Sequence, residues 1–493
     1  MKSKNEKTIV RSVKYNYAMN VILRISTLIF PLITLPYITR TIGAIGNGRI
    51  AFATSIINYF SMFAQLGIPT YGIRACAKVR DDREKLSKTV QELLIVNFIS
   101  VSLSYLLLIL CLLFVGRFQQ DKSLILINSV SLVLNAIGME WLYQALEQYQ
   151  YITLRNIGFK VISIILMFLF VRDSADVVIY AALTVASSGG SNILNFLHAK
   201  KILCAKFYDH YNLKQHIKPI IAFFALSVAV SVYTNMDTAM LGFISSESEV
   251  AYYNLATKIK LIVAMMVSAL GPVIMPRITY CLERKDYQRF ESLIRNSVEL
   301  VMILSSPLTV FFLLMAPQVI DVLGGNEYFP AVSCMRIIMF TIIPLGIGNI
   351  ASMQVLAPMG METKTLISTI CGALINFIVN ALLIPHIGAD GAAVGTVATE
   401  LVVTIIQIYY AREYLKGIIS YRNILKILFA SLLAGILLSL PFFPTISNSF
   451  LMICFNAVVY FSAFGLVLLA TKEQLTIKLS SMINTAITQG SKN

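Results

Sequence analysis

Apolar runs of about 20 residues, closed at both ends by charges, glycine or proline, recur along this chain, the spacing expected of membrane-crossing helices. They predict helices near 15–39, 50–70, 91–116, 123–146, 157–171 and 177–197. A basic connection covers 198–218, and further helices follow near 219–242, 251–275, 296–316, 330–357, 366–385, 392–411, 427–443 and 449–471. The runs are too long and continuous for alternating barrel strands, and backbone N–H and C=O groups in hydrocarbon must be satisfied within each segment. The expected fold is an all-α polytopic membrane protein with 14 transmembrane helices. Its expected parts are a cytoplasmic arm (1–14), an N-lobe (15–197), a basic linker (198–218), a C-lobe (219–411), two added helices (412–471) and a cytoplasmic tail (472–493). Leu475, Leu479, Met482, Ile483 and Ile487 give the tail the spacing of a helix lying on the membrane surface.

Composition agrees: 57% of the 493 residues are hydrophobic and only 13% charged, with a mean hydropathy of +0.75. That excludes an ordinary soluble enzyme. The net charge of +15 could suggest nucleic acid, but the basic residues follow the loops instead of clustering on a face. With the N-terminus in the cytoplasm, 31 of the 40 lysines and arginines fall on cytoplasmic segments and five outside: Arg40, Arg49, Arg117, Lys122 and Arg172. Both termini are therefore expected in the cytoplasm. The seven cysteines and four histidines stand singly, without metal-ligand spacing, and no P-loop or nucleophile elbow occurs, so no cofactor or metal is expected.

The chain also matches itself. With a shift of 203 residues, Gly48 to Ile56 meets Ala251 to Ile259 and shares A-T-x-I; with a shift of 210, Gly138, Gln144, Leu146 and Thr153 meet Gly348, Gln354, Leu356 and Thr363. This predicts two pseudo-symmetric six-helix lobes plus two C-terminal helices, a plan that places a transporter's site between repeats.

Charge in hydrocarbon costs about 3 kcal/mol or more, so ionisable residues inside spans are candidate site residues. Arg24 sits near the middle of the first predicted helix, with Asn16 and Asn20 on the same stripe. In the second lobe Asp237, Lys258, Arg336 and Glu400 share one depth; Asn254 lies on the face of Lys258, and Asp237 is at the height to pair with it. Glu400 could carry a proton. Glu299 and Lys260 fit a cavity or a helix interface equally, and Glu140 beside Trp141 reads as interfacial.

The stretches 42–86, 138–156 and 387–400, with DTAMLGF at Asp237 and VAYYNLATKI at Val250, resemble the bacterial polysaccharide repeat-unit flippases, the Wzx-type O-antigen and capsule transporters of the MATE-like superfamily. The resemblance implies two six-helix lobes around a central cavity and movement of an undecaprenyl-pyrophosphate-linked oligosaccharide to the outer leaflet of the bacterial inner membrane. A lipid diphosphate needs cations, which Arg24, Lys258 and Arg336 could supply. The sugars need a hydrogen-bonding path, for which Asn16, Asn20, Asn58, Gln65, Asn128, Asn135, Tyr233 and Asn254 are candidates. Asp237 or Glu400 could couple an H⁺ or Na⁺ gradient. Expected partners are the lipid-linked oligosaccharide, membrane lipids, and the polymerase and glycosyltransferases of the same pathway, with no nucleic acid. The alternatives are a lipid II flippase or an ion-coupled multidrug exporter of the same superfamily.

Overall fold

The computed structural model describes residues 13–204, 206–269, 271–441 and 446–473. Residues 1–12 of the N-terminal arm and the predicted surface helix of the tail fall outside them, as do the side chains of Arg24 and Tyr233. Two compact units divide the chain, residues 1–243 and 244–493, so the division falls after the seventh predicted span.

The first unit holds α1 (Val13–Gln65), α2 (Ile68–Ala77), α3 (Arg83–Phe114), α4 (Gly116–Gln120), α5 (Lys122–Gly138), α6 (Glu140–Ala145), α7 (Tyr149–Phe170), α8 (Val177–Val185), α9 (Ser191–Ile202) and α10 (Lys214–Ile244). The second holds α11 (Glu247–Ser268), α12 (Gly271–Glu283), α13 (Tyr287–Leu314), α14 (Ala316–Gly324), α15 (Ala331–Met339), α16 (Ile342–Asn349), α17 (Glu362–Leu415), α18 (Tyr421–Leu438) and α19 (Ser449–Ala470). Among the described residues, eleven helices are long and apolar enough to cross a membrane, or twelve if the bent pair Lys214–Ala229 and Thr234–Ile244 is one span.

Two of these are far too long for one crossing. The 60 residues of Ala18–Ala77 would reach about 90 Å as a straight helix, three times the hydrocarbon thickness. The reversal in α1 falls at Gly43, whose φ of 75° suits glycine, and Asn47 donates hydrogen bonds back to the carbonyls of Ile38 and Gly43. In α17 the break is at Ile387 and Gly388. There the halves fold back on each other, since a side chain at Gly372 would meet Val403 and one at Gly395 would meet Asn380. The Glu249 carboxylate accepts from the Ala389 N–H at this tip, 2.6 Å away.

Side-chain caps fix some of the helix starts. Asp82 accepts from the backbone N–H groups of Glu84 and Lys85 at the start of α3, and Ser246 accepts from Glu249 N–H at the start of α11. Between α1 and α2 the chain turns through Leu66 and Gly67, both at positive φ, where α10 runs so close that a Cβ on Gly67 would strike the backbone of Phe223 and Phe224.

At one end of the first unit, Arg49 and Arg117 both bind the buried carboxylate of Asp121. Arg117 also donates to the Gly242 carbonyl at 2.9 Å and lies over the Phe52 ring. These two arginines, exceptions to the charge bias of the loops, act as structural clamps.

Candidate functional site

Inside the first unit, α1, α2, α3, α5, α6 and α9 surround a cavity of 260 Å³ lined by Gln65, Pro69, Asn97, Asn135, Glu140, Trp141, Gln144 and Asn192. At about 30 Å³ per molecule it has room for roughly eight waters. Five of its eight lining residues carry amides and one a carboxylate, so its walls offer donors and acceptors together. Asn192 donates to Asn135 at 3.3 Å, and Asn97, 2% exposed, has a side-chain oxygen with no hydrogen-bond partner. Buried amide oxygens are normally satisfied, so this one suits a hydroxyl ligand or water.

Glycine makes the space. A side chain at Gly138 would collide with Asn192, and one at Gly72 with the Trp141 ring. Trp141 is therefore 4% exposed, packed against α2 in a core that includes Ile68, Leu93 and Leu142. The interfacial position expected for Glu140 is corrected accordingly: with Trp141 turned inward, Glu140 lines the cavity.

The candidate residues from the sequence divide between the units. In the first, Asn16 is buried on α1 with its amide nitrogen unpartnered, and Asn20 is half-buried a turn further on. The backbone of Arg24 continues that stripe, its side chain lying outside the described residues. Asp237 on α10 is 5% exposed and within electrostatic reach of Tyr59. In the second unit, Lys258 on α11 is exposed and Asn254 half-buried one turn before it. Arg336 on α15 is exposed and donates to the Leu313 carbonyl at 3.3 Å, at the C-terminal end of α13 where helix carbonyls lack partners. Glu400 is buried in the second half of α17. Of the other proposed sugar-path residues, Gln65 and Asn135 reach the cavity; Asn58 donates to Asn235 at 3.0 Å, and Asn128 accepts from Thr54 and donates to the Leu124 carbonyl. Glu299 accepts from Asn423 at 2.7 Å with both buried, which settles its place as a helix interface.

Three features escaped the sequence reading. Lys160 is well inside α7, about 16 Å from its start, and donates to Ser26 of α1 at 3.4 Å. Arg155 is buried on the same helix. With a span expected from 157, Arg155 reads as cytoplasmic flank and Lys160 as the cytoplasmic end of the helix, whereas the helix begins at Tyr149. A predicted span of 15 residues is too short for hydrocarbon, and that was the available signal. The third feature is a buried chain of hydrogen bonds, Tyr71 to His216 at 2.8 Å and His216 to Glu92 at 2.9 Å, with Glu92 also accepting from the Asn212 N–H. Glu92 and His216 are 124 positions apart, so nothing local in the sequence pairs them.

A bundle of membrane helices in two units, with a polar cavity inside the first, is the build of a multi-pass membrane transporter. The family described as polysaccharide biosynthesis protein matches residues 13–281, more than half of the chain, and the chain belongs to it. A second family, MatE, matches 222–382. The chain is 23% identical over 408 residues to the Escherichia coli (strain K12) protein named "Putative O-antigen transporter", covering 82% of this chain and 97% of that one. It is 25% identical over 202 residues to "Probable low-salt glycan biosynthesis flippase Agl15" of Haloferax volcanii, covering 40% and 42% of the two chains. Among solved structures, that of lipid II flippase MurJ in an inward closed conformation has the same fold, with a TM-score of 0.73 at 16% identity over 93% of this chain and 99% of that one.

Proposed function

We propose that this protein moves undecaprenyl-pyrophosphate-linked oligosaccharide repeat units from the cytoplasmic to the outer leaflet of a bacterial inner membrane by alternating access. The observation that carries this reading is the amide-lined cavity inside the first unit, within the span matched by the polysaccharide family. A cavity of carboxamides satisfies sugar hydroxyls as donor and acceptor at once and so replaces the water that a glycan gives up. The names of the relatives support the same substrate class. Asn16, Asn20, Arg24, Asn254, Lys258 and Arg336 are proposed as substrate contacts, and Asp237 and Glu400 as ion carriers. Both termini are proposed to face the cytoplasm. Fourteen crossings are proposed, because the twelve spans reached by counting the bent pair include two, α17 and the segment Ala18–Ala77, that each have the length of two.

The test is leaflet translocation by the full chain in proteoliposomes. The expected result is movement of a fluorescent prenyl-diphosphate oligosaccharide, slowed at least tenfold by Arg24→Ala. Movement of lipid II alone would favour the lipid II flippase, and efflux of a cationic dye alone the multidrug exporter.

A further inference from the structure

A second concavity of 590 Å³ lies on the first unit, bounded by Gln150, Tyr151, Leu154, Arg155, Gly158, Phe159 and Ile162 of α7 and by Leu194 of α9. It is mainly apolar, and the exposed flanks of Leu154, Ile162 and Leu194 continue it outward. Positions 151, 155, 158, 159 and 162 share one face of α7, so the groove runs roughly 16 Å along the helix.

Arg155 is set into this apolar wall. It is 7% exposed, and its Nε, Nη1 and Nη2 all lack a hydrogen-bond partner. Glu140 and the Tyr143 and Tyr151 phenols lie close enough to feel its charge, yet none bonds to it. Its guanidinium carbon sits 5.7 Å from the centre of the Tyr151 ring, which stacks on His198. A buried cation without partners costs several kcal/mol, and the guanidinium fork matches a phosphate. Arg155 is six residues into α7, about 9 Å from its start. Exposed Lys200 and Lys201 follow His198 in the last turn of α9, adding positive charge at that end.

We propose that this groove binds a long-chain prenyl diphosphate, with the diphosphate on Arg155 and the chain laid over Gly158, Phe159, Ile162 and Leu194. The site is separate from the amide-lined cavity and would capture the carrier lipid by its head and first prenyl units. This rests on the function proposed above. Gly158 offers the means to test it, because a Cβ there would meet nothing within 4 Å. Gly158→Leu therefore starts its side chain in open space on the groove face, and leucine favours helix over glycine.

The experiment is native mass spectrometry of the purified full chain with undecaprenyl diphosphate, dioleoyl phosphatidic acid, dioleoyl phosphatidylcholine and inorganic pyrophosphate as separate probes. Undecaprenyl diphosphate is expected to bind best, with Arg155→Gln and Gly158→Leu each weakening it at least tenfold. Gly158→Leu keeps the test decisive should Arg155→Gln fail to fold. Undiminished binding by Gly158→Leu would overturn the groove and leave the flippase reading standing. Wild-type binding of undecaprenyl diphosphate no better than phosphatidylcholine would overturn both. Equal binding of phosphatidic acid, lost in both variants, would overturn the prenyl carrier as occupant, and equal binding of pyrophosphate would overturn a lipid site.

Discussion

In the first unit Asn97, Asn135, Gln144 and Asn192 surround open space, whereas in the second several buried polar side chains meet one another. There Glu299 holds Asn423, Ser306 holds Ser431, Tyr253 holds Thr396 and Gln407 donates to Ser368. Matched glycines sit at the start of this difference. Gly138 faces Asn192 in the first unit, and Gly348 faces Thr404 and Gln407 in the second. In both, a missing side chain lets a polar residue approach a helix, and in the first the approach borders the amide-lined cavity. Residues that match when the sequence is laid over itself thus differ in what surrounds them. A polar side chain with space beside it keeps a free donor or acceptor, and one packed on a polar neighbour uses it within the fold.

The comparison breaks most sharply at the cavity. Asn135→Leu together with Asn192→Leu should lower surface polysaccharide more than tenfold at an unchanged membrane level of protein, read by immunoblot, while Gln407→Leu in the second unit should leave polymer near normal. Equal losses would erase the distinction. A moderate effect is expected at Glu299. Glu299→Ala leaves the buried Asn423 amide without its acceptor, a cost of about 2 kcal/mol, and should lower the thermal unfolding midpoint. Adding Asn423→Ala should recover part of the loss, because a cavity is milder than an unpaired amide.

The smallest effect concerns Asp82, in the first unit outside the spans. Hydrogen bonds from the Lys85 backbone N–H and then its ammonium hold the Asp82 carboxyl below its ordinary value. A group lowered in this way stabilises the fold above the unfolded carboxylate range, and that contribution is lost as pH falls through the lowered folded value. Asp82→Asn should therefore flatten slightly the fall in thermal midpoint between neutrality and about pH 3.

Hydropathy made the helices legible because burial in lipid demands long apolar runs, and Gly43 and Gly388 fall between predicted spans, at 40–49 and 386–391. Charge was harder to place. Lys160 and Arg155 look like flanking cations until a 15-residue span is recognised as too short, and Trp141 looks interfacial until Gly72 is seen to make room for its ring. Arg49 and Arg117 break the loop bias for a reason only tertiary structure supplies, their shared hold on Asp121. The amides of the cavity are ordinary residues scattered over five helices, and no spacing rule collects them.

The tip of α17 has a mechanical consequence. Its arms touch along their length at Gly372 and Gly395, and the turn is stitched to the first turn of α11 by the carboxylate of Glu249 on the Ala389 amide. Such a clasped pair of rods behaves as one lever of roughly 40 Å, and whatever tilts one rod must carry the other and the head of α11 with it.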